Sequence, residues 1–256
     1  MKEESVDTTT LEALLSSHHY NMQRDIANAF REERLGDIVE GATPLDIDVE
    51  APKVVMHIVP FDTDGNCDLS SLYDDDGKRL TPLFATTHKA LFVRHYNIHG
   101  ILSSAAVSQQ LSAISFVQQS YVQLFRNGSL ESVNGEIING KNKTIPIVAI
   151  EKGIIERLPM YLSALHDLGI NTACYVMISV LGVKDFSLAV SSEKVSWDDS
   201  REIDHDNLIL PHAIVDTTYG EEDVKEALKP AFDALWNSAG YPGSVTSDHR
   251  SMINNN

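Results

Sequence analysis

The segment YVQLFRNGSLESV, residues 121–133, decides the fold class because it predicts a β-hairpin. Apolar and polar side chains alternate on both sides of Asn127 and Gly128, and a period of two is typical of a half-buried strand. An Asn-Gly pair supplies the left-handed backbone conformations that a two-residue type I′ turn requires. The segment therefore predicts two antiparallel strands joined by a tight turn.

Other apolar segments extend this hairpin to a larger sheet. They are rich in β-branched and aromatic residues, and they cover residues 53–59, 90–98, 101–106, 172–183, 186–190 and 208–215. The most apolar of them, residues 172–183, is expected near the centre of the sheet with both faces covered. We expect residues 186–190 to pair with it as a neighbouring strand.

Helical periodicity predicts three helices, at residues 9–36, at residues 150–168 and from near Thr218 to Gly240. Thr218 and Glu221 have the spacing of a capping box, which places the start of the last helix at Thr218. The first helix has a narrow apolar stripe that includes Met22, Ile26 and Phe30. Its other faces carry charge, which indicates a helix that faces solvent or a partner.

This order of elements indicates an α+β fold with a mainly antiparallel sheet, packed helices and an N-terminal helix. We divide the chain into an N-terminal helix and linker at residues 1–44, an α+β domain at residues 45–243 and a disordered tail at residues 244–256. The tail ends in three asparagines and shows no apolar periodicity.

The composition excludes several classes of protein. The formal net charge is −17, with 37 acidic against 20 basic residues, so direct binding of nucleic acid or of an anionic membrane is disfavoured. Only two cysteines are present, Cys67 and Cys174, which argues against a disulfide framework. The N-terminus is acidic and the longest apolar run is too short to span a bilayer. We therefore predict a cytoplasmic protein.

One acidic stretch raises the question of a metal site. Six aspartates lie in FDTDGNCDLSSLYDDDGKRL, residues 61–80, and the first three have the opening spacing of a calcium loop. These three are Asp62, Asp64 and Asp68. An EF-hand also needs a glycine at its sixth position and a glutamate at its twelfth, where this chain has Cys67 and Tyr73. A looser divalent-ion site that uses Asp74, Asp75 or Asp76 stays open, and we favour an ordinary polar loop with a turn at Asp76-Gly77.

The same stretch holds the one candidate catalytic set. Asp62, Asp76 and Lys78 could together bind magnesium and activate water, as in a metal-dependent nuclease or phosphodiesterase. Such residues normally project from a strand, whereas Asp76 to Lys78 is typical of a turn. We keep this set as the enzymatic alternative and favour a protein that is not an enzyme.

Two other motifs approach known sites without completing them. GEIINGKN, residues 135–142, resembles a phosphate-binding loop, but Asn142 replaces the magnesium ligand and Pro146 argues against a helix starting at the lysine. His95 and His99 have the spacing of zinc ligands on a helix, yet their segment predicts a strand, on which the rings would lie roughly 13 Å apart. We predict no cofactor.

Several segments together resemble one family, the C-terminal part of bacterial proteins whose N-terminal half carries an AlbA-like, Schlafen-type domain. The similar segments are FREERLGDIVEGATPLDI (30–47), PKVVMHIVPFD (52–62), RHYNIHGIL (94–102), SYVQLFRNGSLESV (120–133), VMISVLGVKDF (176–186) and KPAFDALWNSAGYP (229–242). In that family the AlbA-like domain is the part to which nucleic-acid or nucleotide binding is assigned. This chain contains only the companion region, so no functional residue of that domain can be assigned here.

The resemblance implies a bacterial module that works beside a nucleic-acid-binding effector, in defence or regulation, either as a separate subunit or as part of a longer polypeptide. We therefore expect a non-catalytic interaction or sensor module that pairs with such a protein or with itself. The divalent-metal nuclease is the alternative from a different class. A third hypothesis is that the acidic surface mimics nucleic acid and occupies a basic partner.

Overall fold

A computed structural model of the chain describes residues 8–61, 65–73, 79–84, 90–107, 120–190 and 201–245. Within these ranges there are four helices: α1 (Thr8–Glu40), α2 (Ser70–Tyr73), α3 (Ile147–Asp167) and α4 (Glu221–Asn237). The strands in the same ranges are β1 (Lys53–Pro60), β2 (Ala90–Asn97), β3 (Gly100–Val107), β4 (Ser120–Phe125), β5 (Leu130–Asn134), β6 (Thr144–Ile145), β7 (Ala173–Leu181), β8 (Ser187–Leu188), β9 (Leu208–Ile209) and β10 (Ala213–Asp216). No helix among the described residues is long and apolar enough to cross a membrane.

The main sheet has the strand order β10-β7-β1-β5-β4-β3-β2, and each pair of neighbours is antiparallel. The α+β class and the mainly antiparallel sheet are therefore confirmed. β1 and β7 lie inside the sheet and are almost entirely buried, because their side chains pack against helices on both faces. β10 and β2 are the two ends of this order.

The hairpin predicted at residues 121–133 is present as β4 and β5, but the predicted turn type is wrong. Gly128 has φ +81°, whereas Asn127 does not have a positive φ. The Gly128 amide donates to the Phe125 carbonyl at 3.0 Å, and the Phe125 amide donates to the Ser129 carbonyl at 2.8 Å. This is a three-residue loop in which the glycine forms a bulge after a turn, so only one left-handed residue is needed.

Two other strand predictions need correction. Residues 186–190 do not pair with β7, since β8 pairs in parallel with β6 in a separate two-stranded sheet. Gly182 and Asp185 both have positive φ values and turn the chain away from the main sheet. The strand predicted at residues 208–215 is split into β9 and β10, both on the same edge of β7, and Pro211 lies in the break.

The last helix begins three residues later than predicted. Gly220 is its N-cap residue, and the backbone N–H of Gly220 donates to the Asp223 carboxylate at 3.0 Å. Thr218 instead donates its hydroxyl and its amide to the Asp216 carboxylate. The threonine closes the preceding turn, so it cannot also cap the helix.

Helices cover both faces of the sheet. α3 and α4 pack on the face formed by alternate residues such as Val54 and Met56 of β1, and they build the larger core. α1 lies on the opposite face, where Ala27 and Ile38 pack against the remaining alternate residues, including Val55. The helix is thus a layer of the domain, although its sequence predicted a helix facing solvent or a partner.

The buried face of α1 differs from the predicted apolar stripe. Met22 and Ile26 are 46% and 51% exposed. The residues that face the sheet are Gln23, Ala27, Phe30, Leu35 and Ile38, with Arg34 among them. Polar residues share the contact face with apolar ones, because this face of the sheet also carries polar groups that need partners.

Candidate functional site

A buried polar network joins α1 to the sheet, with the Glu131 carboxylate at its centre. Arg34 donates from Nε to Oε2 at 3.0 Å and from Nη2 to Oε1 at 2.9 Å. Tyr121 donates its hydroxyl to Oε1 at 2.7 Å, and His57 Nε2 lies 2.9 Å from Oε2. The side chains of Glu131, His57 and Tyr121 are fully buried. Three side chains from α1, β1 and β4 therefore meet at the one carboxylate that β5 supplies.

The strand register explains this meeting. His57 pairs directly with Glu131 across β1 and β5, and Gln123 pairs with Glu131 across β4 and β5. Alternation then places these residues on the face that α1 covers, where Arg34 completes the ion pair. Sequence reasoning missed this network, because Glu131 has the polar position of an alternating strand that would ordinarily face solvent.

The network holds Glu131 in its charged form. Burial alone would raise the pKa of Glu131, but hydrogen bonds and charge from His57 and Arg34 outweigh it and lower the pKa to about 2. Burial likewise works to lower the pKa of Arg34, and the Glu131 carboxylate outweighs it and raises that pKa. Burial and the same carboxylate raise the pKa of Tyr121. The ion pair is a fixed structural connection rather than a proton-transfer site near neutral pH.

A cavity of about 290 Å³ opens beside this network, between the sheet, the end of α1 and the connector that follows it. Its polar lining comes from Arg34, Thr43, His95, Asn97, His99 and Gln123. The ring of Phe125 also lines it, and the Arg34 guanidinium lies 5.4 Å from the centre of that ring. His95 and His99, which are too far apart on a strand to bind one metal ion, thus line the same cavity.

The amides in this cavity are already engaged. Asn97 donates from Nδ2 to Gln123 Oε1 at 2.6 Å, and its side-chain oxygen Oδ1 accepts from the backbone amides of His99 and Gly100. Gln123 donates to the carbonyls of Ile101 and Leu124. These bonds fix the β2–β3 turn, so the imidazoles and the guanidinium carry the remaining hydrogen-bonding capacity.

The predicted metal and catalytic residues fall mostly on other parts of the chain. Asp62, Asp64, Asp76 and Lys78 lie outside the described residues. Asp68 is exposed, and its carboxylate accepts the backbone amide of Ser70 at 3.0 Å, which lowers its pKa. This carboxylate is therefore used at the start of α2.

In the described ranges, no three His, Cys, Asp or Glu side chains are placed to hold a metal ion. The segment that resembles a phosphate-binding loop, residues 135–142, is followed by β6, and α3 begins only at Ile147. No helix starts at Lys141, so the described backbone lacks the helix N-terminus that such a loop uses to bind phosphate.

The outer edge of β2 forms one end of the main sheet among the described residues. β2 pairs with β3 over eight residues without a bulge and has no other strand partner among the described residues. Val93 and Tyr96 on the strand are 37% and 44% exposed, and Ile98 in the following turn is 85% exposed. β2 contains neither lysine nor proline, the residues that commonly protect such an edge.

A second buried carboxyl lies on the opposite face of the sheet, between α3 and α4. Glu151 accepts a hydrogen bond from Trp236 Nε1 at 2.6 Å and one from the Ser244 hydroxyl at 3.0 Å. Burial raises the pKa of Glu151 to about 7, against the effect of these two donors. Ser244 is itself buried, at the start of the tail predicted for residues 244–256, and residues 246–256 lie outside the described ranges.

Comparison with known proteins gives no family assignment. No protein-family model matches the chain, and neither a curated protein nor a solved structure shows significant similarity to it.

Proposed function

We propose that this chain is a non-catalytic interaction module that binds an extended, acidic segment of a partner protein as an additional strand along β2. The observation that carries the proposal is the outer edge of β2, which has no strand partner in the described part of the chain and lies beside exposed apolar side chains. An exposed sheet edge of this kind is a template for strand addition by another chain.

The distribution of charge supports an acidic partner. Residues 77–130 contain five basic residues and no acidic one. The rest of the chain holds all 37 acidic residues and the other 15 basic residues, a formal charge of −22. β2, β3 and β4 all lie in this basic segment. A negatively charged chain would therefore be attracted to this end of the sheet and repelled by the other end.

The basic side chains around β2 also favour an acidic partner. Arg94 lies on the strand and donates to the Leu72 carbonyl at 2.8 Å, which holds its charge beside the edge. His95 and His99 are exposed near the other face of the strand, and Arg126 is exposed in the adjoining loop. Two copies of β2 paired edge to edge would bring two such basic surfaces together, so the charge favours a different partner over self-association.

The charged groups of the described core support a structural rather than a catalytic role. Arg34 and Glu131 form a buried ion pair, and Glu151 accepts hydrogen bonds from Trp236 and Ser244. The resemblance to the companion region of AlbA-like, Schlafen-type proteins supports an effector that binds nucleic acid as the partner. Neither Cys67 nor Cys174 forms a disulfide, which supports a reducing, cytoplasmic setting for the module.

Binding of labelled peptides tests this proposal. The probe is a fluorescein-labelled peptide in which threonine and glutamate alternate, and its charge control alternates threonine and lysine. Fluorescence anisotropy should show saturable binding of the glutamate peptide and no binding of the lysine peptide. Val93→Glu should lower the affinity for the glutamate peptide by about tenfold, because the substitution removes apolar contact and adds a like charge at the edge.

Ile214→Glu on β10 is the matched control, since Ile214 and Val93 are each 37% exposed on opposite end strands. This variant should bind the glutamate peptide like the unaltered chain. Equal weakening by both variants, or binding of the lysine peptide with the same affinity, would refute the proposal. Tighter binding of single-stranded oligothymidine that is lost in Val93→Glu would assign the edge to nucleic acid instead. A dimer in light scattering that Val93→Glu dissociates would assign it to a second copy.

A further inference from the structure

The cavity beside Arg34 has a lining unlike the rest of this acidic protein. None of the described residues that line it carries a carboxylate. A guanidinium and two imidazoles face the same space of about 290 Å³, which is at the small end of the range for ligand pockets. We propose that this cavity binds a small organic anion, with a carboxylate or phosphate group on a compact apolar body.

Arg34 supplies the first set of hydrogen-bond donors for the anionic group. A guanidinium has five N–H groups, and three of them are used: Nε and one on Nη2 by Glu131, and one on Nη1 by Asp37. These hydrogen bonds to described residues leave one N–H on each terminal nitrogen for a further acceptor. Because the ion pair with Glu131 fixes the guanidinium, these two donors are held in place before a ligand arrives.

The imidazoles of His95 and His99 add the second set of donors. Both side chains are exposed, and neither makes a hydrogen bond to a described residue. Each ring offers one N–H when neutral and two when protonated, so both protonation states can donate to an anion. The backbone that carries His99 is held by the Asn97 carboxamide oxygen, which accepts its amide at 3.0 Å.

The apolar body would lie against Phe125. The His99 ring meets the Phe125 ring edge to face with a centroid separation of 6.0 Å, and Phe30 approaches the same ring at 5.3 Å. Leu102 and Pro44 supply further apolar surface to the cavity. A small planar group could therefore pack here while its anionic oxygens accept from the guanidinium and the imidazoles.

Titration with three matched compounds tests this inference. Benzoate and phenyl phosphate share the anionic oxygen and the planar body, and benzamide keeps the shape of benzoate without its charge. We expect saturable binding of at least one anion by calorimetry and no binding of benzamide. Two-dimensional NMR should place the shifts on His95, His99 and the Gln123 side-chain amide. The relative affinities of the two anions distinguish a carboxylate ligand from a phosphate ligand.

The double variant His95→Gln/His99→Gln should weaken anion binding by about tenfold or more, because a hydrogen bond to a charged group is lost or weakened at each position. His18→Gln is the matched control, since His18 is an exposed histidine on α1, and it should bind as before. The inference is overturned by any of four results: neither anion binds at millimolar concentration, benzamide binds as well as benzoate, the shifts map elsewhere, or the double variant retains full affinity. These results leave the strand-addition proposal untouched, because peptide binding to β2 is measured separately.

Discussion

Replacing Glu131 by glutamine removes the charge at the centre of the buried network while keeping the size and shape of the side chain. The pKa of Glu131 is lowered from its ordinary value of 4.5 to about 2. Since one pKa unit corresponds to about 1.4 kcal/mol, the folded protein gains roughly 3 kcal/mol from the ionised carboxylate. We expect Glu131→Gln to lower the free energy of unfolding by about this amount at pH 7.

The sign of the pH dependence follows from the direction of this shift. A carboxyl whose pKa is lowered on folding stabilises the protein fully above its unfolded pKa of 4.5, and this stabilisation is lost as the pH falls towards about 2. The difference in unfolding free energy between the unaltered chain and Glu131→Gln should therefore be constant from pH 7 to pH 5. At pH 3 it should have fallen to roughly half, because part of the linkage range has been crossed.

Urea unfolding followed by intrinsic fluorescence measures this difference, provided that the slopes of both transitions agree. Glu33→Gln is the control, since Glu33 is an exposed glutamate next to Arg34 on α1, and it should change stability by no more than about 0.5 kcal/mol. A Glu131→Gln variant that is as stable as the unaltered chain at pH 7 would refute the reasoning. A difference that stays the same from pH 7 to pH 3 would also refute it.

Three further variants probe the rest of the domain. Because the pKa of Glu151 is raised to about 7, the folded state loses stability as the pH rises from 4.5 through 7, so Glu151→Gln should stabilise the protein by roughly 1 to 3 kcal/mol at pH 8 and have little effect at pH 4 in the same urea assay. Gly128→Ala should destabilise by at least about 1 kcal/mol, since φ is +81° and an added Cβ would lie 2.4 Å from a neighbouring side-chain carbon. Gly36→Ala in α1, where the added Cβ would meet no atom outside its own stretch of helix within 4 Å, should instead raise the free energy of unfolding by roughly 0.5 to 1 kcal/mol and with it the melting temperature. Opposite signs for the Gly128 and Gly36 variants are required.

Most elements could be predicted because their local patterns agree with their final environment. The alternation in residues 121–133 and the apolar run in residues 172–183 both describe strands with an apolar face that packs in the core, although the polar face of β4 and β5 is buried as well. Turn details were less accessible, since Asn-Gly fits two kinds of hairpin loop and only tertiary packing selects one. Residues 186–190 have strand propensity, but propensity does not specify which strand they pair with.

The packing of α1 could not be predicted from hydrophobic periodicity. Its contact face contains Gln23 and Arg34, and the partner that makes Arg34 a buried residue lies 97 positions away in β5. Of the predicted apolar stripe, Phe30 packs against the sheet, whereas Met22 and Ile26 are exposed. A periodic pattern reports burial only where the opposite surface is apolar, and this face of the sheet carries a carboxylate.

The candidate site was inaccessible to sequence reasoning for the same reason. His95 and His99 were recognised as a pair, but the cavity that they share also needs Arg34 and Phe125, which come from α1 and β4. The basic segment at residues 77–130 is visible in the sequence. The sequence alone does not show that this segment forms one end of the sheet, because that follows from the strand order.

Residue-resolved amide hydrogen exchange on β2 tests the central claim most directly. The exchange is measured by NMR with and without the alternating threonine–glutamate peptide. Strand addition predicts that alternate backbone amides of β2, those not paired with β3, slow by about tenfold or more, while the amides of the opposite end strand β10 keep their rates. Unchanged exchange along β2 in the presence of saturating peptide, or equal protection of β10, would contradict the proposal that β2 is the binding edge.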